Sequence, residues 1–480
     1  MKKLSLPLLG AVVVALVATS SAAAFTPTNT YYAKQWYLGQ DSAFDAWPAP
    51  QFFAPPVKVA IIDSGVDCSL PDFNGQIAKS KSFVGGSPCM DNQGHGTIVA
   101  GEIAGALNEA GVVGVAYSSQ LLVAKVVAAD GTIPLKAEAA GIRWAVNQGA
   151  LVVNLSFGAV RDPKDRGLDS YSKIEAQAVA YAVKKGAVVV AAVGNSDDAY
   201  TTPWPYASWP AALPHVLGVG ALTHSGKVPD FSDQDLRFVD MAAPGVGIFS
   251  TFPANLTDNQ PACPEQGYTA CANGDYQHPE GTSFAAPQVA AAAAVLFGVE
   301  PSLTSSQVTR ILERHADDVN AASGCDECPD GRDKYSGWGS LDVAKAVEFL
   351  NSGNPLPPSD QYEPNDSAPQ AHKLWGKRPA FHATLDYWDD PVDAYRVRLL
   401  PGQRLSARFA ARWANASVRM TLWRPGVKAL RGRAGIVAHT KRAGKTQQFS
   451  YRAAHGGWYD LELVTVSHGG GGYSLNLTKS

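Results

Sequence analysis

The sequence predicts a large α/β domain, a mostly parallel sheet with helices on both faces, followed by a small all-β sandwich. Three observations carry this reading. Between residues 25 and 350, short runs that are apolar throughout alternate with helical stretches, and a strand with no polar face is covered on both sides. Beyond residue 360 the apolar period falls to two, the pattern of strands wetted on one face. Hydrophobic residues make up 46% of the 480 and charged residues 17%. That suffices for large cores and excludes a disordered chain, a coiled coil or a collagen-like fibre.

The elements follow in order. Lys2 and Lys3 precede an apolar run, Leu4 to Val17, and Ala22-Ala23-Ala24 leads into Phe25. A charged start, a short apolar stretch and a small-residue exit predict a secretory signal peptide over residues 1–24. Pro7 interrupts a run already shorter than the ~20 residues a spanning helix needs. Strands are expected at Val57–Ile62, Leu121–Val127, Ala150–Leu155 and Ala187–Val193. Helices are expected at His95–Leu107, Ala137–Gln148 and Ser172–Lys185. Ala285–Val299 is Ala-rich and holds Gln288, so it reads as a buried helix and not as a membrane span. The mature chain is therefore expected to be exported, with no transmembrane segment. Residues 351–360, rich in Pro, Ser and Asn, read as a semi-rigid linker that divides a 25–350 domain from a 361–480 domain. In the latter, Tyr395, Val397 and Leu399 alternate with Arg396 and Arg398. Leu405, Ala407 and Phe409 repeat the pattern, as do Tyr459, Leu461 and Leu463, before the glycine run 469–472 and a last strand, Tyr473–Leu477.

Four positions carry chemistry. Asp63 ends the first apolar strand, and functional groups of open parallel sheets gather at the carboxyl ends of strands; alone, it reads equally as a helix cap. His95 sits in Gly94-His95-Gly96-Thr97, where small neighbours leave an imidazole open at a helix start; a lone histidine there is more often a capping group. Ser283 opens the Ala-rich helix in Gly281-Thr282-Ser283-Phe284, where backbone N–H groups and the positive dipole end face a developing oxyanion; an N-cap serine is the plainer alternative. Asn195 follows another buried strand in Val193-Gly194-Asn195 and could donate to that oxyanion. As a set, an orienting carboxylate, a general base and a nucleophile are far more specific than any one of them.

These motifs resemble those of the subtilisin-like serine proteases, from about Gln35 to Leu350. The resemblance implies a secreted serine endopeptidase that hydrolyses peptide bonds through an acyl-enzyme, with Asp63, His95 and Ser283 as its triad and Asn195 at the oxyanion. It implies no cofactor for the chemistry and polypeptides as substrates. Leu155-Ser156-Phe157-Gly158 matches the wall of the primary specificity pocket, with Gly194 beside it. The segment Val126–Ile133, including Gly131, matches the strand that pairs with substrate backbone. Phe157 and Ile133 depart from the commoner residues of the family. Asp72 and Asn108 match ligands of a structural Ca²⁺, with either Asn29 or Gln35 as the N-terminal ligand. Only 38 residues separate Phe25 from Asp63, so the family's usual propeptide is expected to be absent.

Glu363-Pro364-Asn365-Asp366 and Asp389-Asp390-Pro391-Val392-Asp393 resemble the bacterial pre-peptidase C-terminal β-sandwiches. The six cysteines are expected to pair in sequence, Cys68–Cys89, Cys263–Cys271 and Cys325–Cys328. A formal net charge of -3 argues against nucleic acid as a partner, but it hides an asymmetry. Residues 361–480 hold 18 Lys and Arg against 8 Asp and Glu, a formal +10; residues 25–360 hold 20 against 35, a formal -15. Two expectations follow. The basic domain either rests on the acidic one, partly covering its cleft, or holds the protein on an anionic cell-surface polymer. The rival to an enzyme is a catalytically silent surface-binding protein on the same fold.

Overall fold

In a computed structural model of the chain, the described residues are 25–45, 55–196, 200–257 and 279–480. The expected signal peptide and the Cys263–Cys271 pair lie outside them. A short helix α1 (Tyr37–Gln40) leads into β1 (Lys58–Asp63). The α/β domain continues with β2 (Ile77–Ser82), α2 (His95–Ala104), β3 (Gln120–Lys125), α3 (Leu135–Asn147), β4 (Val152–Leu155) and α4 (Lys173–Lys184). Then come β5 (Val188–Ala192), β6 (Val216–Leu222), β7 (Met241–Pro244), α5 (Thr282–Val299), α6 (Ser305–Arg314) and α7 (Val343–Asn351). The seven strands form one sheet in the order β2-β3-β1-β4-β5-β6-β7, and every pairing is parallel.

The apolar runs have a plain cause. Alternate residues of a strand point to opposite faces. Val59 and Ile61 of β1 enter the core under α2 and α5, while Ala60 and Ile62 enter the core under α3 and α4. Neither face reaches water, so neither tolerates a polar side chain. Each buried valine or isoleucine contributes about 1.5–3 kcal/mol. The Ala-rich α5 is threaded through the first core and its residues from Phe284 to Phe297 are buried. Alone among helices of the described residues it is long and apolar enough to cross a membrane, yet 83% of it is buried inside the protein. Sequence patterning misses β2, β6 and β7, which are edge-exposed, glycine-interrupted or too short to show a period.

The second domain comprises β8 (His372–Leu374), β9 (Ala380–Asp386), β10 (Val392–Leu399), β11 (Arg404–Ala411), β12 (Val418–Trp423), β13 (Ile436–His439), β14 (Thr446–Arg452), β15 (Gly457–Thr465) and β16 (Gly470–Lys479). They build a five-stranded sheet, β13-β12-β15-β10-β8, and a four-stranded sheet, β14-β11-β16-β9. The period-two residues Val397, Leu399, Leu405, Ala407, Phe409, Leu461 and Leu463 lie in its core, and Arg398, Arg404 and Arg408 between them are exposed. Two disulfides join Cys68 to Cys89 and Cys325 to Cys328.

The two domains touch, but not at the edge where Asp63 ends β1. His215 immediately precedes β6, at the opposite edge of the sheet, and its Nε2 lies 3.1 Å from Glu363 and 3.1 Å from Asp366. Arg314 reaches Asp386 at 3.4 Å, and the Arg332 guanidinium stacks over Trp388 at 4.0 Å. The sandwich therefore does not cover the cleft, against one of the two expectations. The local charges also run opposite to the net charges: the basic domain docks through its few acids, and the acidic domain answers with His215, Arg314 and Arg332. Net charge sums over whole surfaces, whereas docking is decided by groups within a few ångströms of one another.

Candidate active site

Asp63 stands at the carboxyl end of β1, and α2 begins at His95 beside it. The aspartate is 2% exposed. Its Oδ1 accepts the Ser64 N–H at 2.7 Å, and its two oxygens lie 2.9 and 3.0 Å from His95 Nδ1. The approach of α2 to β1 needs a residue without a side chain at Gly96. A Cβ there would sit 2.2 Å from the Gly65 carbonyl oxygen and 3.1 Å from the Asp63 side chain. The start of α2 is held by Asp91, whose carboxylate accepts from the N–H groups of Gly94 and Thr97, both at 2.9 Å. Asp91 escaped the motif reading, although a carboxylate four residues before the histidine is a recognisable helix-start signal. The imidazole keeps 31% of its surface open to the cleft. Burial works to lower its pKa, but the Asp63 charge and hydrogen bond, helped by the Asp91 charge, carry it above the usual histidine value.

Ser283 is the second residue of α5, preceded by Gly281 at φ +148°. Its Oγ donates to the Ser156 carbonyl at 2.9 Å and not to His95. Asn195 follows β5, and its Oδ1 accepts from both the N–H and the hydroxyl of Thr282 at 3.0 Å. With the oxygen so committed, Nδ2 is the atom offered to the cleft. A Cβ on Gly281 would lie 3.2 Å from that nitrogen, so glycine serves both the backbone angle and the access to Asn195. Thr282 thus fixes an orientation that sequence reasoning had no means of assigning.

The cleft, about 250 Å³, brings together Asp63, His95, Asn195, Ser283, Gly131 and Phe157. Ser156, Gly158 and Gly194 line it as well, and Ile133 and Phe157 face it half-buried. Leu155 is different. It is the last residue of β4, wholly buried in the core under α3 and α4, so its side chain does not reach the cleft. Ser208 lines the cleft without any local signal in the sequence; its Oγ donates to Asp233 at 3.3 Å.

A separate loop, residues 106–112, has the chemistry of a cation site. Asn29 Nδ2 lies 2.8 Å from Ala106 O, 2.6 Å from Ala110 O and 2.8 Å from Val112 O. An amide has two hydrogens for these three carbonyls, and the buried Asn29 Oδ1 has no partner. Turning the amide would bring four oxygens together, an arrangement that suits a hard cation. Asp72 joins the same loop by accepting the Val112 N–H at 2.7 Å. Asn108, at the exposed rim, donates to Pro71 O and accepts the Ala110 N–H. Gln35 instead pairs with Val113, so Asn29 is the N-terminal member of this set. Carboxylate groups with metal-binding spacing also occur around the contact between the domains.

Known proteins bear on what this arrangement does. A family model described as the subtilase family matches residues 55–339. The thermophilic serine proteinase of Bacillus sp. (strain AK1) is 31% identical over 330 residues, 68% of this chain and 70% of that protein. Subtilisin E of Bacillus subtilis (strain 168) is 34% identical over 294 residues, 61% of this chain and 66% of that protein. Subtilisin BL of Lederbergia lenta is 35% identical over 268 residues, 56% of this chain and 86% of that protein. The crystal structure of a lanthipeptide protease superposes with a TM-score of 0.54 at 24% identity, covering 68% of this chain and 99% of that one, a likeness of fold alone.

Proposed function

Because the chain belongs to the subtilase family, serine-type peptidases that need no cofactor for catalysis, we propose that it is a secreted endopeptidase whose triad is Asp63, His95 and Ser283. The observation that carries this is the Asp63–His95 bond at 2.9 Å in the cleft that also holds Ser283. Asp63 accepts the Nδ1 proton of His95, which leaves Nε2 as the acceptor. Ser283 rotates away from Ser156 O, gives its proton to Nε2 and attacks the scissile carbonyl. Catalytic hydrogen bonds are often unformed until substrate is present, so the resting hydroxyl direction does not oppose this. Asn195 Nδ2 and the Ser283 N–H then hold the oxyanion, and His95 returns the proton to the leaving amine. Export rests on the N-terminal segment, residues 1–24, and on the two disulfides, which persist in oxidising compartments. The remaining divisions are 25–350 for the catalytic unit, 351–360 for the linker and 361–480 for the sandwich.

A fluorophosphonate probe followed by peptide mapping tests the assignment. Labelling of Ser283, abolished in His95→Ala, is expected; labelling elsewhere, or none, would favour a silent binding protein. In casein hydrolysis Asn195→Ala is expected to lower kcat by about 10²–10³, and an unchanged kcat would remove Asn195 from the oxyanion site.

The loop of Ala106, Ala110 and Val112 carbonyls, with Asn29 and Asp72, would hold a structural Ca²⁺ and take no part in the chemistry. A ligand that binds only the native state stabilises by about 2.7 kcal/mol at a hundred times its Kd. Chelation is therefore expected to lower the melting temperature, and Asp72→Asn to reduce that drop. An equal drop in Asp72→Asn would place the calcium elsewhere.

A further inference from the structure

The contact between the domains holds a cavity of about 60 Å³, lined by His215, Asp240, Arg310 and Glu313 on one side and by Asp389 and Asp390 among others on the sandwich side. At roughly 10–15 Å³ per water-sized sphere, that is room for an ion with a few waters. We propose that Asp240, Glu313 and Asp389 bind one hard divalent cation there, calcium by its chemistry, which ties the sandwich to the catalytic domain.

The three side chains come from separate places: Asp240 immediately before β7, Glu313 near the end of α6, and Asp389 from the loop between β9 and β10. One oxygen of each lies within 4.8 Å of the others. Glu313 is 2% exposed, and none of its oxygens or those of buried Asp389 meets an N–H or hydroxyl donor; the two carboxyl groups lie close enough to share a proton with each other. Asp240 is partly satisfied, since its Oδ2 accepts the Gly218 N–H at 2.8 Å and Arg332 donates to Oδ1 at 3.3 Å. Arg314 is committed to Asp386, and Arg310 offers Asp389 attraction across the cavity. Four buried carboxylate oxygens without a donor are costly until a positive group joins them.

Two positive groups could do so, a proton or a cation. Burial and mutual repulsion push Glu313 well above the usual carboxylate range, Asp240 to about 7 and Asp389 to about 6. A single shared proton would close one O–H···O bond and leave the other oxygens bare. Arg332 offsets Asp240 and Arg310 faces Asp389, so the three carboxylates keep a net negative charge that a hard cation would answer. Carboxylate oxygens alone, with room for water, are the ligand set of Ca²⁺.

The test uses the full mature chain carrying Ser283→Ala, which removes self-cleavage. Calcium bound per chain is measured by equilibrium dialysis, alone and with Glu313→Gln plus Asp389→Asn. The expected result is about one calcium fewer in the substituted protein, with the Asp72 loop still loaded. In chelator, added proteinase K is expected to cut residues 351–359 faster in the parent and no faster in the substituted chain. Equal calcium in both proteins would overturn the proposal and assign Glu313 and Asp389 a shared proton. Should the double substitution not fold, terbium replaces calcium in Trp388→Phe. A loss of tryptophan-sensitised emission supports the site, and unchanged emission rejects it.

Discussion

Ser283→Ala is expected to lower kcat on casein or a peptide amide by about 10⁶, equivalent to roughly 8 kcal/mol of transition-state stabilisation. The size follows from the division of labour in the cleft. Alanine leaves Asn195, the α5 N-terminus and the substrate-binding walls in place, so only covalent catalysis is lost. Because base and nucleophile act as one unit, His95→Ala should cost about as much, and the double variant scarcely more than either. The fold should not suffer: the one hydrogen bond that the Ser283 hydroxyl makes here goes to Ser156 O at the half-open cleft. Unfolding curves that superpose, with kcat near wild type, would end the triad assignment.

Asp63→Asn is expected to lower kcat by about 10⁴, the scale of orienting-carboxylate losses in subtilisin-type and chymotrypsin-type triads. Asparagine is nearly isosteric and can still accept the Ser64 N–H. Its amide, however, would present N–H to His95 Nδ1, favouring the tautomer whose Nε2 carries the proton. The base then points the wrong way. A second effect moves on the pH axis. Burial alone lowers the His95 pKa, and the Asp63 charge and hydrogen bond overcome it. In the native enzyme the imidazole therefore holds its proton above the ordinary histidine pH, and activity falls as pH drops through that raised value. Without the Asp63 charge the acid limb of kcat/KM should shift to lower pH. A limb that stayed in place while kcat fell would assign the limb to another group.

Much of this was legible because it is local. The buried strands show as apolar runs, the sandwich as period-two alternation, and the catalytic motifs as short signatures at strand and helix ends. Asp63, His95, Asn195 and Ser283 could each be named without knowing where the others lie. Leu155 marks the limit: it belongs to the matching segment, yet strand alternation buries its side chain while Ser156 and Phe157 reach the cleft. The choice between Asn29 and Gln35 was open in sequence, and only their carbonyl partners separate them.

Sequence by itself determined the fold class and the main buried strands and helices, and it supplied the four residues proposed for catalysis, since period, composition and short motifs are carried by neighbours along the chain. Tertiary structure alone decided the direction of the Ser283 hydroxyl, the Thr282 grip on Asn195, the place of Ser208, and the side on which the sandwich docks. That docking joins His215 to Asp366, 151 residues away, at the edge of the sheet opposite the cleft. Net charges of +10 and -15 left docking and surface tethering equally open and had the wrong sign for the groups that meet, because whole-domain charge is averaged over screened surface while burial selects individual groups. Glu363, Asp366 and Asp386 of the sandwich form that contact; nothing in their spacing along the chain records the partners that folding brings against them.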